Sequence, residues 1–254
     1  MTSRNKKSAL LNWSSRGVHD VVLNLVESLT LSDGRVLDVA CGPGALTERL
    51  LSKGFSVIAA DGFPEVFELH GQVPFIHLNV EEEWTSLGGN FDAICAVEII
   101  EHVENPYLFI RKCFESLKPG GVLVLTTPNA AYYSSRLMFL HNACFELYSP
   151  RSFYTKTKTE KGNILPGHIH LFTSWMIKAN LERAGFGSVF FSSSNYWLNG
   201  LLPIPRRPLN LVRWFYYRLL GTLASPFMHE PVKSSIFSKN IIAVARKPTL
   251  DLAA

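Results

Sequence analysis

The sequence predicts an α/β fold, a doubly wound and mostly parallel sheet carrying helices on both faces. Three observations carry this reading: short apolar runs alternate with segments of helical period, the first run turns into a glycine-bearing loop, and only the last two runs break the rhythm. Strands separated by helices need crossover connections, and crossovers join parallel neighbours.

Segment 18–31 carries apolar residues at 18, 21, 22, 25, 26 and 29, a helical period. Residues 35–39 form a short strand that enters the turn Ala40-Cys-Gly-Pro-Gly44, and a helical stretch over 45–53 stops at Gly54. Apolar runs at 55–60, 73–78, 91–97 and 121–127 read as further strands, separated by helix-compatible segments. The last two candidates, 188–193 and 239–246, have no clean crossover unit between them, so the final strand is free to enter antiparallel. A single domain, 1–254, is expected, with its core in 16–129 and 168–247. Segments 130–167 and 198–237 stand outside the rhythm, and long connections of this kind are usually lids or binding elements.

The 254 residues hold 25 Lys plus Arg against 21 Asp plus Glu, a net charge of +4, and are 47% hydrophobic. This composition excludes disordered, collagenous and coiled-coil chains. The charged fraction, 18%, lies below the roughly 25% of ordinary soluble proteins, and the mean hydropathy is +0.11. Nucleic acid is not an expected partner: the net charge is small, no RNA-binding module is recognisable, and basic density is modest at Lys156, Lys158, Lys161, Arg206 and Arg207. Ala9-Leu10-Leu11 is too short for a signal-peptide core, and four cysteines without Cys-x-x-Cys spacing read as reduced thiols, so a cytoplasmic protein is expected.

Much of the apolar excess falls in 130–154 and 196–228. Residues 209–228 are apolar nearly all round a helix, yet two arginines and Pro226 make them a poor membrane span. A lid, a dimer contact, or an interfacial helix that brings 203–228 against a membrane surface are the readings left open.

Asp38-Val-Ala-Cys-Gly42-Pro-Gly44 places two glycines where a strand turns into a helix. Glycine allows close backbone approach to a ligand, and a helix N-terminus offers unpaired N–H groups. A dinucleotide fingerprint would have a third glycine where Thr47 stands, and the acid at Asp38 suits a cationic ligand better than a pyrophosphate. Asp61 ends the second strand, where a carboxylate can accept from both hydroxyls of a ribose.

With these residues the sequence resembles the class I S-adenosylmethionine-dependent methyltransferases. Asp38-x-x-x-Gly42-x-Gly44 matches their first motif, Asp61 their ribose acid, Phe91 to Val97 their fourth strand and Leu117-Lys-Pro-Gly-Gly121 the start of their fifth. The resemblance implies a seven-stranded Rossmann-like sheet whose last strand is antiparallel, and S-adenosylmethionine as cofactor. It puts Asp38, Gly42 and Gly44 around the methionine moiety, Asn79 and Val80 at the adenine, and Val97 at the cofactor side of the fourth strand. Asn79 departs from the family's usual Asp, although an amide oxygen can still accept from the adenine amino group.

Glu98-Ile-Ile-Glu101-His102 follows the fourth strand, and ligands bind at the carboxyl ends of parallel strands. A helix starting near Glu98 would put both carboxylates and the imidazole on one face. Glu-x-x-Glu-His-Val with a following x-x-Pro is most similar to the ubiquinone-biosynthesis O-methyltransferases. The same Glu-x-x-Glu-His, with a later histidine, occurs in small-RNA 3′-terminal 2′-O-methyltransferases, where it holds a divalent metal. His168 or His170 supplies that later histidine here.

Two mechanisms fit. In one, Glu98, Glu101, His102 and His170 hold Mg²⁺, Mn²⁺ or Zn²⁺ against the reacting hydroxyl. In the other, His102 or His170 acts as general base beside Glu101. The expected activity is O-methylation of a small or lipid-linked acceptor. A cell-surface glycan or an RNA 3′-terminal 2′-hydroxyl is an alternative acceptor, and a non-catalytic S-adenosylmethionine-binding partner subunit is an alternative of another class. Such a subunit would have no need of Glu101 and His102.

Overall fold

The computed structural model describes residues 10, 14, 15, 17–145, 157, 158, 164, 165, 167–192 and 238–249. The expected alternation is present at the start, in α1 (Val18–Leu29), β1 (Arg35–Val39), α2 (Ala45–Ser52) and β2 (Ser56–Asp61), but β3 (Phe75–His77) and β4 (Phe91–Val97) follow with only the short 3-10 turns Pro64–Val66 and Thr85–Leu87 between the strands. Then follow α3 (Pro106–Ser116), β5 (Leu117–Pro128), α4 (Tyr133–Asn142), α5 (Ser174–Arg183), β6 (Ser188–Ser192) and β7 (Asn240–Arg246). These strands form one seven-stranded sheet in the order β3-β2-β1-β4-β5-β7-β6. β1 to β5 are parallel, and β7 runs antiparallel to both β5 and β6. Within the first insertion, Thr157–Lys158 and Ile164–Leu165 pair as a two-residue ribbon.

Alternation along the strands builds two cores, one on each face. Leu37, Ile94, Leu123 and Ala243 face one side, where Phe109, Ile110 and Cys113 of α3 and Ile177 and Leu181 of α5 cover them. Val36, Cys95, Val124 and Val244 face the other, under Val18, Val22 and Val26 of α1 and Leu46 and Leu50 of α2. Because both faces are covered, the central strands are apolar over most of their length, which is why 93–97 and 122–125 read as unbroken apolar runs. Each such side chain contributes roughly 1.5–3 kcal/mol by leaving water. Cys95 and Cys113 are buried in this way, and all four cysteines are free thiols.

β5 starts four residues earlier than the apolar pattern indicates. Leu117 pairs with Phe91, the register then shifts, and pairing resumes at Val122 with Ala93. Gly121 sits at this irregularity, and a Cβ there would lie 2.9 Å from the Lys118 carbonyl oxygen and 3.0 Å from that of Phe91. Both neighbours are backbone, which cannot rotate away. Gly121→Ala is therefore expected to cost roughly 2–4 kcal/mol and to lower the melting temperature by about 5–10 °C. An unchanged melting temperature would show that the bulge tolerates a side chain.

The expected helix from Glu98 does not form. Residues 98–105 are turns and bends, Glu98 has φ +53°, and α3 begins only at Pro106. The Asn105 side chain accepts the Leu108 N–H and Pro106 occupies the first turn, so the helix start is encoded at 105–106. A left-handed residue directly after β4 turns the chain instead.

Of the insertions, α4 exposes Phe139 and Leu140. The apolar stretch 209–228, and with it the membrane contact expected of 203–228, lies outside the described residues. Among the described residues, no helix is long and apolar enough to cross a membrane.

Candidate active site

Chain order moves outward from β1 to β3, then crosses back to β4, so the switch point lies between β1 and β4. Helices on either side of such a point leave a crevice at the carboxyl ends of the strands. The glycine loop, Asp61 and the turn 98–102 all lie at these ends.

The loop after β1 is held by side chains from two other elements. Ala40 and Gly42 have positive φ, and Gly44 enters α2 at φ +96°, where a Cβ would lie 3.0 Å from the Phe67 ring. Asp61 is buried; its Oδ2 accepts the Gly42 N–H at 2.8 Å and its Oδ1 the Phe63 N–H at 2.8 Å. Burial raises its carboxyl above the usual range, against the pull of those amides. Asp38 is also buried, and its Oδ2 accepts the Thr47 hydroxyl at 2.6 Å. Burial, opposed by that hydroxyl and assisted by neighbouring Asp61, pushes its carboxyl up to about 7. Thr47, noted in the sequence only as a missing glycine, thus anchors Asp38 from the first turn of α2.

Asn79 is exposed and engaged locally. Its Oδ1 accepts the Glu81 N–H at 3.1 Å and its Nδ2 donates to Glu82 Oε1 at 3.0 Å. Both arms of the amide shape the loop after β3, and Val80 beside it is half-buried. Val97, also half-buried, ends β4 opposite Thr126.

The two acids after β4 diverge. Glu98 turns toward β5 and β7: its Oε1 accepts the Thr126 hydroxyl at 2.8 Å, and both its oxygens accept from Asn240 Nδ2, at 3.0 and 3.1 Å. Glu101 is fully buried, and its Oε2 accepts the Thr127 hydroxyl at 2.9 Å. Its Oε1 is buried with no hydrogen-bond partner among the described residues and lies 3.9 Å from His102 Nε2. Burial first, and then the nearby Glu98, push the Glu101 carboxyl well above the usual carboxylate range. Burial also raises Glu98, against the Thr126 and Asn240 hydrogen bonds.

A buried oxygen of this kind calls for a proton or a cation. His102 Nδ1 lies 3.2 Å from the Gly167 carbonyl oxygen, a contact only an N–H can make, so the neutral ring carries its lone pair on Nε2. His168 completes the group: its ring is 4.8 Å from that of His102, and ligand atoms of Glu101, His102 and His168 all lie within 4.8 Å of one another. The N–H groups of Ile169 and His170 both reach the Glu101 carbonyl oxygen, at 2.9 and 3.2 Å, so the strap 167–170 crosses directly over the turn. His168, just before that crossing, is the imidazole that meets His102. His170 lies beside Phe172, with a ring separation of 5.9 Å, and its Nε2 is buried without a partner among the described residues.

Of the expected acceptor-side residues, the structure therefore gathers Glu101 and His102, joins them to His168, and sets Glu98 and His170 apart. Thr126, Thr127 and Asn240 were not singled out in the sequence. The two threonines had a signal, being polar residues at the end of an apolar strand, whereas Asn240 had none.

Comparison with known proteins agrees with this architecture. An S-adenosylmethionine-dependent methyltransferase from Archaeoglobus fulgidus superposes with a TM-score of 0.56 at 18% identity, covering 91% of this chain and 96% of the other. The N-terminal domain of EvdMO1, solved with S-adenosylhomocysteine bound, gives 0.54 at 18% identity over 92% and 82%. At such identities the likeness is one of fold. The ubiquinone biosynthesis O-methyltransferase of Xanthomonas oryzae pv. oryzae (strain PXO99A) is 39% identical over 143 residues, 49% of this chain and 60% of the relative. That of Xanthomonas axonopodis pv. citri (strain 306) is 43% identical over 143 residues, again 49% and 60%. The chain thus spans about 60% of the length of these curated relatives. Residues 13–189 match the family model described as a methyltransferase domain. The chain belongs to this family, the methyltransferase domain.

Proposed function

We propose that the enzyme methylates a hydroxyl oxygen of a small or lipid-linked acceptor by in-line displacement. The observation that carries this reading is Glu101 Oε1, without a hydrogen-bond partner among the described residues and buried beside the imidazoles of His102 and His168 after β4. Hydroxyls are poor nucleophiles until deprotonated, and this group is built to bind or remove a positive charge.

Asp38, Gly42, Gly44, Asp61, Asn79, Val80 and Val97 form the cofactor side, and Glu101, His102 and His168 the acceptor side. S-adenosylmethionine supplies the methyl group from a sulfonium centre, and Glu101, His102 and His168 would hold a divalent cation (Mg²⁺, Mn²⁺ or Zn²⁺) whose Lewis acidity lowers a hydroxyl pKa. Thr127 fixes the Glu101 carboxylate, and the Gly167 carbonyl fixes the His102 tautomer and ring plane. Glu98 ties the turn to β5 and β7 through Thr126 and Asn240, which keeps the neighbouring ligands at one geometry. The chain acts as one domain in the cytoplasm, with 130–167 and 198–237 selecting the acceptor and 203–228 meeting an apolar surface. The relatives named for ubiquinone biosynthesis support a hydroxylated ring on an apolar chain as acceptor.

The test is incubation with methyl-labelled S-adenosylmethionine and a catechol bearing a short polyprenyl chain, with the product resolved by mass spectrometry and NMR. A methyl ether is expected. Transfer to ring carbon, or cofactor binding with no transfer to any hydroxylated acceptor, would overturn the reading.

A further inference from the structure

Lys112, on α3, is buried, and its three ammonium hydrogens meet three consecutive backbone carbonyls. Nζ lies 3.1 Å from the Val80 oxygen, 2.9 Å from that of Glu81 and 2.7 Å from that of Glu82. No carboxylate forms an ion pair with it among the described residues. A buried cation without a counter-ion is costly unless every donor is met by a well-placed dipole. Here the dipoles all belong to one loop, the irregular segment after β3 that carries Asn79 and Val80.

The same loop is clipped from a second side. Glu81 Oε1 accepts the N–H of Glu104 at 2.7 Å, tying the loop to the end of the turn that bears Glu101 and His102. Trp84 Nε1 donates to the Val80 oxygen at 3.3 Å, and Asn79 closes the turn internally. Three carbonyl oxygens converging on one point repel one another, and the Lys112 ammonium offsets that repulsion.

We propose that Lys112 is a positioning residue for the adenine end of the cofactor site: its ammonium gathers the carbonyls of 80–82 and thereby sets the loop that borders the adenine. The proposal rests on the assignment of Asn79 and Val80 to the adenine edge. Lys112 touches neither the cofactor nor the reacting atoms. Its effect is on cofactor affinity, and the Glu81 to Glu104 link makes the loop a shared boundary of the cofactor and acceptor sides.

The test is calorimetry with S-adenosylmethionine, S-adenosylhomocysteine and adenosine on wild type, Lys112→Met and Glu81→Ala. For Lys112→Met, all three dissociation constants are expected to rise by a common factor of about ten, with kcat at saturating cofactor within about twofold of wild type. Adenosine lacks the methionine moiety, so an equal loss there locates the defect at the adenine end. Glu81→Ala alters an exposed side chain and decides the matter even if Lys112→Met folds poorly; its expected loss is about threefold, with the melting temperature unchanged. Wild-type affinity in Glu81→Ala and in folded Lys112→Met would overturn the role of Lys112. So would loss for S-adenosylmethionine without loss for adenosine. Absence of cofactor binding by wild type would instead overturn the cofactor-site assignment on which the role depends.

Discussion

Asp61→Ala is expected to remove measurable binding of S-adenosylmethionine, a loss of roughly 10²- to 10³-fold. One carboxylate holds two loops: Oδ2 receives the Gly42 N–H and Oδ1 the Phe63 N–H, both at 2.8 Å. A hydrogen bond to a charged group contributes roughly 1.5–3 kcal/mol, so two together amount to about 3–6 kcal/mol, and the lower part of that range, about 3–4 kcal/mol, sets the expected factor. Without the carboxylate the Gly42 N–H loses its acceptor, and the Cys41 N–H on the Ala60 carbonyl oxygen, at 3.2 Å, is left to tie the positive-φ loop to β2. Any acceptor for the ribose hydroxyls disappears with it. Asp61→Asn keeps one acceptor oxygen but turns an NH₂ toward a backbone N–H, and is expected to fall between the two. Calorimetry on the three proteins, with melting curves to confirm folding, decides the point; equal affinity in wild type and Asp61→Ala would remove Asp61 from the cofactor site.

Glu101→Gln is expected to strip bound divalent metal and to lower methyl transfer by roughly a hundredfold or more. Its Oε1 is buried without a hydrogen-bond partner among the described residues, and it lies beside the two imidazoles. Replacing that oxygen by an NH₂ puts a donor where an acceptor of positive charge is needed. Chelation of wild type should produce the same loss, and Mg²⁺, Mn²⁺ or Zn²⁺ should restore it. The histidines provide an internal contrast. His168→Ala should weaken metal binding about as strongly as His102→Ala, and His170→Ala much less, because His170 lies beside Phe172 rather than in the cluster. Elemental analysis and initial rates on the same preparations settle this. Full activity in metal-free wild type would remove the metal and leave His102 as the proton acceptor.

The strand and helix sequence was legible because it rests on local spacing. β1, β4 and α2 begin where the apolar pattern and the glycine loop put them, since a parallel strand buried on both faces is apolar over most of its length. The turn after β4 departs from its helical spacing for a physical reason. Glu98-Ile-Ile-Glu101-His102 has helical spacing, but Asn105 and Pro106 carry the helix-start signal, and one left-handed residue at Glu98 diverts the chain before it. Spacing marks which residues share a face only if the helix exists.

Residue types and local order were enough to specify a glycine loop, an acid ending β2, an acid and histidine cluster at a strand end, and a mainly parallel sheet. Their partners came only from the folded chain. Glu98 meets Asn240 across 142 positions, His102 meets Gly167 across 65, and Lys112 reaches back across about 30 to three carbonyls. Nothing in local spacing encodes such pairs, because each arises from the order in which strands are laid side by side. The choice of His168 over His170 is the sharpest case. The two imidazoles are chemically identical and two residues apart, and the hydrogen bonds from Ile169 and His170 to the Glu101 carbonyl decide which one faces His102.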